Sequence, residues 1–187
     1  KTVLAVCRHE LLLKDNREPT LITKSKLLKQ YMAVPDVADP QTDITLTKVN
    51  VLTFDSWLGK FWWRHFRKFI SQMAQRQIKR GYDYDWDKMT DMMDERGIVD
   101  DLETDLIIDE GQDLAEDFYI FLEHIKPNLT VFADDNQSLA DHPVKVAELK
   151  KILGVEKVCE VKKNYRNTRE IANVAKRFFT GTASMYP

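Results

Sequence analysis

Long apolar runs are missing from this chain of 187 residues: no stretch approaches the roughly 18 consecutive apolar positions that a membrane span needs. The first residues also lack the charged-then-apolar layout of a signal peptide. Together these absences predict a soluble protein, cytoplasmic and without a membrane partner. Cysteine is scarce. Cys7 and Cys159 are far apart and fit no metal-ligand spacing, which argues against a zinc or iron–sulfur framework and predicts two reduced thiols. Repeats and low-complexity tracts are absent, and the one linker-like stretch, Pro35–Thr42, reads as a surface loop. The length, with 43% hydrophobic residues, suffices for one globular domain with room for a small insertion, and is short for two full domains.

Charge is present but unevenly placed. The net charge of -2 conceals two opposed blocks: seven Lys or Arg and no acid from Ser56 to Tyr82, then fifteen acids against Lys88 and Arg96 from Asp83 to Asp117. Two helix faces that solvate and partly neutralise one another would account for this. So would a nucleic-acid surface followed by a metal–nucleotide surface.

Short β-rich runs at Thr20–Thr23, Val49–Phe54, Asp105–Ile108, Leu129–Phe132 and Val158–Val161 each lead through polar residues into a helical pattern. Helices are expected over Thr2–Leu13, Lys24–Met32, Asp113–Ile125, Val144–Leu153 and Thr168–Phe179. Strand-then-helix order predicts an α/β fold with a mainly parallel sheet flanked by helices. The longest helical pattern runs from Ser56 to Lys79, with Leu58, Trp62, Phe66, Phe69 and Met73 on one apolar face. Trp63, Arg64, Arg67 and Lys68 are displaced from it onto a face that mixes an aromatic ring with cations. Tyr82–Arg96 reads as a short acidic helix or loop, and residues 57–100 as a small helical insertion.

Chemistry is concentrated where strands end. The apolar Leu106–Ile108 stops at Asp109, Glu110, Gly111, Gln112 and Asp113. One carboxylate at the end of a buried strand can hold Mg²⁺, and a second beside it can orient and deprotonate a water attacking a phosphate. A solvated loop would also use such residues. Val131–Ala133 ends in Asp134, Asp135, Asn136 and Gln137, whose amide can sense a phosphate by hydrogen bonding; ordinary turn chemistry is the alternative. Asn164–Asn167 places Arg166 before a helix, as a phosphate ligand or as part of a cap.

In this order and at these spacings, DEGQD at 109–113, ADDNQ at 133–137 and NYRN at 164–167 resemble motifs II, III and IV of the UvrD/Rep-like superfamily 1 helicases. The family's usual patterns are DExQD, GDxxQ and NYR with a small polar residue, so Ala133 replaces a glycine. Lys1-Thr2 and the helix after it resemble the tail of a GxGKT phosphate loop whose glycines are not in the chain. Thr20–Lys26 is similar to motif Ia and Val51–Trp57 to motif Ib.

The resemblance implies a partial first RecA-like motor domain, a P-loop NTPase fold over residues 1–187 without its P-loop strand, that couples ATP hydrolysis to movement on single-stranded DNA or RNA. It implies ATP and Mg²⁺ as ligands, with Lys1 on phosphate, Thr2 and Asp109 on the metal, Glu110 on the attacking water, Gln137 on the γ-phosphate and Arg166 on the developing charge. Thr23, Lys24, Thr53, Phe54 and Trp57 would contact the strand. The second motor domain is the implied partner, so this chain alone is expected to be inactive as a helicase. Two other readings stand beside this one: a catalytically inactive helicase-like interaction module, and a nuclease using Asp100, Asp101, Glu103 and Asp105.

Overall fold

The computed structural model describes residues 1–32, 49–78, 81–98, 104–137, 143–161 and 169–175. Its centre is a sheet of four parallel strands: β1 (Thr20–Thr23), β2 (Val51–Thr53), β5 (Asp105–Ile108) and β6 (Asn128–Val131), in the order β2-β1-β5-β6. Leu21 lies opposite Val51 and Ile107, and Ile107 opposite Thr130. Every residue of β1 and β5 is buried, as a parallel sheet covered on both faces requires. β6 forms one edge and is only partly covered.

The alternation of side chains along these strands feeds two cores. Leu21, Val51 and Ile107 meet Ala5 and Leu12 of α1 (Thr2–Lys14) and Met32 of α2 (Lys26–Met32). Ile22, Leu106 and Ile108 belong to a larger core with α3 (Phe54–Phe66) and α5 (Glu116–Ile125). Leu149 of α6 (Val146–Ile152) closes that side. The carboxylate of Asp105, 4% exposed, is held by Arg17; without that partner a buried charge would be left uncompensated.

The expected helix from Ser56 to Lys79 is in fact three elements. α3 stops at Phe66 because Arg67 adopts a left-handed conformation (φ 53°) and its N–H closes on the Trp63 carbonyl. A short 3₁₀ turn (Ile70–Gln72) follows, and then the antiparallel pair β3 (Gln75–Ile78) and β4 (Gly81–Tyr84). The apolar stripe continued past the true helix end, and Phe69 is 61% exposed rather than buried on it. The expected acidic helix is α4 (Trp86–Glu95), started by the Asp85 carboxylate accepting from the Lys88 N–H. Trp86, Met89 and Met93 enter the same core as Phe118 and Phe121, so these residues of the 57–100 segment share the main core.

Val158–Val161 is not a strand. The segment has no regular structure, and Val158 and Val161 are exposed; a strand needs a neighbouring strand, and β6 pairs only with β5 among the described residues. Val49–Phe54 shortens to β2 because the Thr53 hydroxyl accepts from the Ser56 N–H and turns Phe54 into the first residue of α3. Pro35–Thr42, Asp100–Glu103 and Asn164–Asn167, with Arg166, lie outside the described residues. Of Thr168–Phe179, the helix α7 is described over Arg169–Ala175. Among the described residues no helix is long and apolar enough to cross a membrane, and both cysteines are free thiols.

Candidate functional site

The carboxyl ends of the parallel strands gather most of the residues singled out in the sequence. Hydrogen bonds from the Asp109 N–H to the Ile22 carbonyl and from the Gly111 N–H to the Phe132 carbonyl carry the ladder past the formal ends of the strands. Residues after β1, β5 and β6 are therefore tied together by backbone, and this is where open α/β sheets place ligands.

Asp109 is fully buried. Its Oδ2 accepts from the Thr2 hydroxyl at 2.7 Å, across 107 positions of sequence, while Oδ1 is buried without a hydrogen-bond partner. Burial pushes the Asp109 carboxyl above the ordinary carboxylate range, against the Thr2 hydrogen bond, with the neighbouring Glu110 charge adding to the rise. An unpartnered carboxylate oxygen beside a threonine hydroxyl is a hard-oxygen pair of the kind that suits Mg²⁺. Two such donors fit a cation that takes its other ligands from water and a bound phosphate.

Glu110 follows in a left-handed backbone conformation (φ 55°, ψ 47°), which non-glycine residues adopt only when neighbours enforce it. The neighbours are visible. The Tyr119 hydroxyl donates to the Gly111 carbonyl at 2.7 Å. A Cβ on Gly111 would meet Val131 Cγ1 at 2.5 Å and the Tyr119 oxygen at 2.7 Å, so only glycine fits the step after Glu110. The Glu110 carboxylate is held from two sides, by Lys1 Nζ at 2.8 Å and by Gln112 Nε2 at 2.7 Å. Lys1 Nζ also lies 3.6 Å from Asp134 Oδ2.

Gln112 is the joint between the two acidic loops. Its side chain, 1% exposed, donates to Glu110 while its Oε1 accepts the Asp134 N–H at 3.0 Å. Its Nε2 also lies 3.5 Å from the Gln137 carbonyl. The Asp134 and Asp135 carboxylates are used locally, accepting from the N–H groups of Asn136 and Val146.

Beside this cluster opens a cleft of about 460 Å³ lined by Thr23, Lys24, Ser25, Leu28, Glu110, Asp113, Asn136 and Gln137. Lys24 donates to the Asp113 carbonyl at 2.7 Å. Ser25 starts α2 by accepting the Leu28 N–H. Thr23 and Lys24, two of the five expected strand-contacting residues, line this cleft, although Thr23 is itself buried with its hydroxyl accepting the Ser25 N–H. The other three do not. Thr53 is buried and engaged in capping α3. Phe54 packs edge-on against Tyr84 and Phe118, and Trp57, 6% exposed, stacks on Phe61.

Sequence reasoning missed Gln112, Gly111 and Tyr119 as working parts. The first two sit inside the acidic motif but are not titratable, and Tyr119 looks like one more core position of α5. Compared with protein-family models, curated proteins and solved structures, the chain finds no match.

Proposed function

We propose that the chain is part of a RecA-like P-loop NTPase motor, similar to the first motor domain of UvrD/Rep-like superfamily 1 helicases, acting in the cytoplasm on single-stranded nucleic acid. The observation that carries this reading is the meeting of Lys1 and Thr2 with Glu110 and Asp109. Four residues selected by resemblance, from opposite halves of the chain, are within hydrogen-bonding distance. A chance likeness of short motifs would not require that.

In this reading ATP binds at the amino end of α1, with Lys1 leaving Glu110 for the β- and γ-phosphates. Thr2 and Asp109 would hold Mg²⁺, which when bound offsets phosphate charge and orients the γ-phosphate for attack. Glu110, released by Lys1 and still fixed by Gln112, accepts the proton of the attacking water. Gln137 donates to the γ-phosphate from the loop after β6. Arg166 would stabilise the charge that develops. Because Gln112 ties Glu110 to that loop, occupation of the phosphate site shifts Asn136 and Gln137, which line the cleft where Thr23 and Lys24 would grip a strand. Hydrolysis and strand contact are thereby linked through one buried amide.

Movement itself is the direct test of the motor. The parent polypeptide, carrying the glycine-bearing loop and second motor domain that the resemblance implies, should displace streptavidin from the end of a biotinylated single strand only when ATP is supplied. Strand binding with no displacement and no ATP turnover would instead favour the inactive interaction module.

A further inference from the structure

The face of α3 opposite the core carries a second chemistry. Trp57, Leu58, Phe61, Trp62 and Phe66 are buried, whereas Lys60, Trp63 and Arg64 stand exposed at three- and four-residue steps. Arg67 and Lys68 extend this exposed line beyond the helix. The left-handed turn at Arg67 brings Phe69 back towards Trp63, with ring centroids 5.0 Å apart and planes tilted by 35°. Trp63 is 43% and Phe69 61% exposed. Among the described residues no carboxylate pairs with Lys60, Arg64, Arg67 or Lys68.

Cations near the carboxyl end of a helix favour its dipole, which explains Arg64 and Arg67 but not two large rings turned to water. Exposed aromatic surface of this kind marks a place that something covers. The surroundings specify what. Cations with no carboxylate partner among the described residues select an anionic partner, and the two rings beside them in sequence leave aromatic surface exposed. A single-stranded nucleic acid presents both complements, phosphates along its backbone and unpaired bases with free faces. A duplex hides its base faces, and an acidic peptide has few rings to stack. From Lys60 to Arg67 the helix rises about 10 Å, enough for roughly three stacked nucleotides.

We infer that Trp63 and Phe69, flanked by Lys60, Arg64, Arg67 and Lys68, form a second contact surface for single-stranded nucleic acid. It is separate from the cleft at the sheet end: α3 starts near there, and Lys60 to Arg67 lie roughly 9 to 20 Å along it. The inference shares with the motor reading only the nature of the partner, and it needs neither ATP nor metal.

The test is fluorescence anisotropy of a labelled oligothymidylate with the full chain, without nucleotide, for wild type, the W63A/F69A double variant and the R64E/R67E double variant. All four substituted positions are on the surface, so both variants should remain folded by circular dichroism, W63A/F69A with a thermal midpoint near wild type and R64E/R67E lowered only by the lost helix-dipole interaction. W63A/F69A should weaken oligonucleotide binding by at least about tenfold, while weaker binding of the matching duplex stays unchanged. R64E/R67E should weaken both and flatten the salt dependence. Unchanged oligonucleotide binding in both variants overturns the proposal, as does an equal loss for single strand and duplex in W63A/F69A. Retained oligonucleotide binding with lost binding of polyglutamate in the variants would also overturn it, reassigning the surface to an acidic protein. None of these outcomes touches the motor reading, which fails separately if the parent polypeptide hydrolyses no ATP.

Discussion

The Thr2 hydroxyl donates to one oxygen of the Asp109 carboxylate at 2.7 Å, and the other oxygen of that carboxylate is buried with no partner. A protein that kept this group only for stability would have satisfied both oxygens or replaced the carboxylate. On the proposed reading, the unsatisfied oxygen is the local cost of a site that would take a ligand.

That cost makes a prediction about stability. Burial raises the folded-state carboxyl of Asp109 above its unfolded value, so the folded state binds the proton more tightly and ionisation works against folding as pH rises through the folded pKa. Asp109→Asn should stabilise the chain by about 1–2 kcal/mol at pH 7 to 8, and the advantage should shrink as pH falls towards the ordinary carboxylate range. Thermal denaturation between pH 4 and 8 measures it. The same variant in the parent polypeptide should lose Mg²⁺-dependent turnover.

A second prediction concerns the turn that presents Glu110. Gly111→Ala places a Cβ against Val131 and the Tyr119 oxygen, which should cost about 1–3 kcal/mol as overpacking. Tyr119→Phe should cost about 1 kcal/mol by removing the hydrogen bond to the Gly111 carbonyl. Combined, the two should cost less than their sum, because the shorter ring relieves part of the clash. Urea denaturation of the three variants checks this; strict additivity would mean that the clash is absorbed elsewhere.

His9 supplies a pH dependence of its own. It is fully buried and its Nε2 accepts the Asn50 N–H, and burial lowers its pKa below the ordinary histidine value. The unfolded chain therefore binds this proton more readily than the folded one. Stability is whole above about pH 6.5 and declines as pH falls below it, down to the lowered folded value. His9→Gln, which accepts the same hydrogen bond without titrating, should flatten the denaturation profile between pH 7 and 5 relative to wild type.

The sequence made the sheet and its flanking helices readable because the strands of the parallel sheet are short runs with apolar centres followed by polar loops, as at Leu106–Ile108. It also marked Lys1, Thr2, Asp109 and Glu110, but only through the resemblance of Lys1-Thr2 to the tail of a phosphate loop and of residues 109–113 to a helicase motif; the residue types alone would equally have fitted a chain terminus and a solvated loop. The hairpin of β3 and β4 was hidden because Gln75–Ile78 reads as the continuation of an amphipathic helix, and nothing in the residue types announces the left-handed turn at Arg67. Val158–Val161 has a strand's composition and no strand beside it. Pairing is a tertiary fact that composition does not carry. Phe54 and Trp57 looked like strand-contacting aromatics because they follow β2. Their burial against Phe118 and Phe61 depends on where α5 and the rest of α3 lie, which only the packed structure supplies.

The measurement closest to the central claim is ATP hydrolysis by the parent polypeptide, with and without single-stranded DNA, beside its Glu110→Gln variant. The account predicts turnover that rises with the strand and falls by about a hundredfold or more in the variant, with nucleotide binding retained because Lys1 and Thr2 are untouched. Turnover that persists in Glu110→Gln, or a wild type that hydrolyses no ATP with or without the strand, would contradict it.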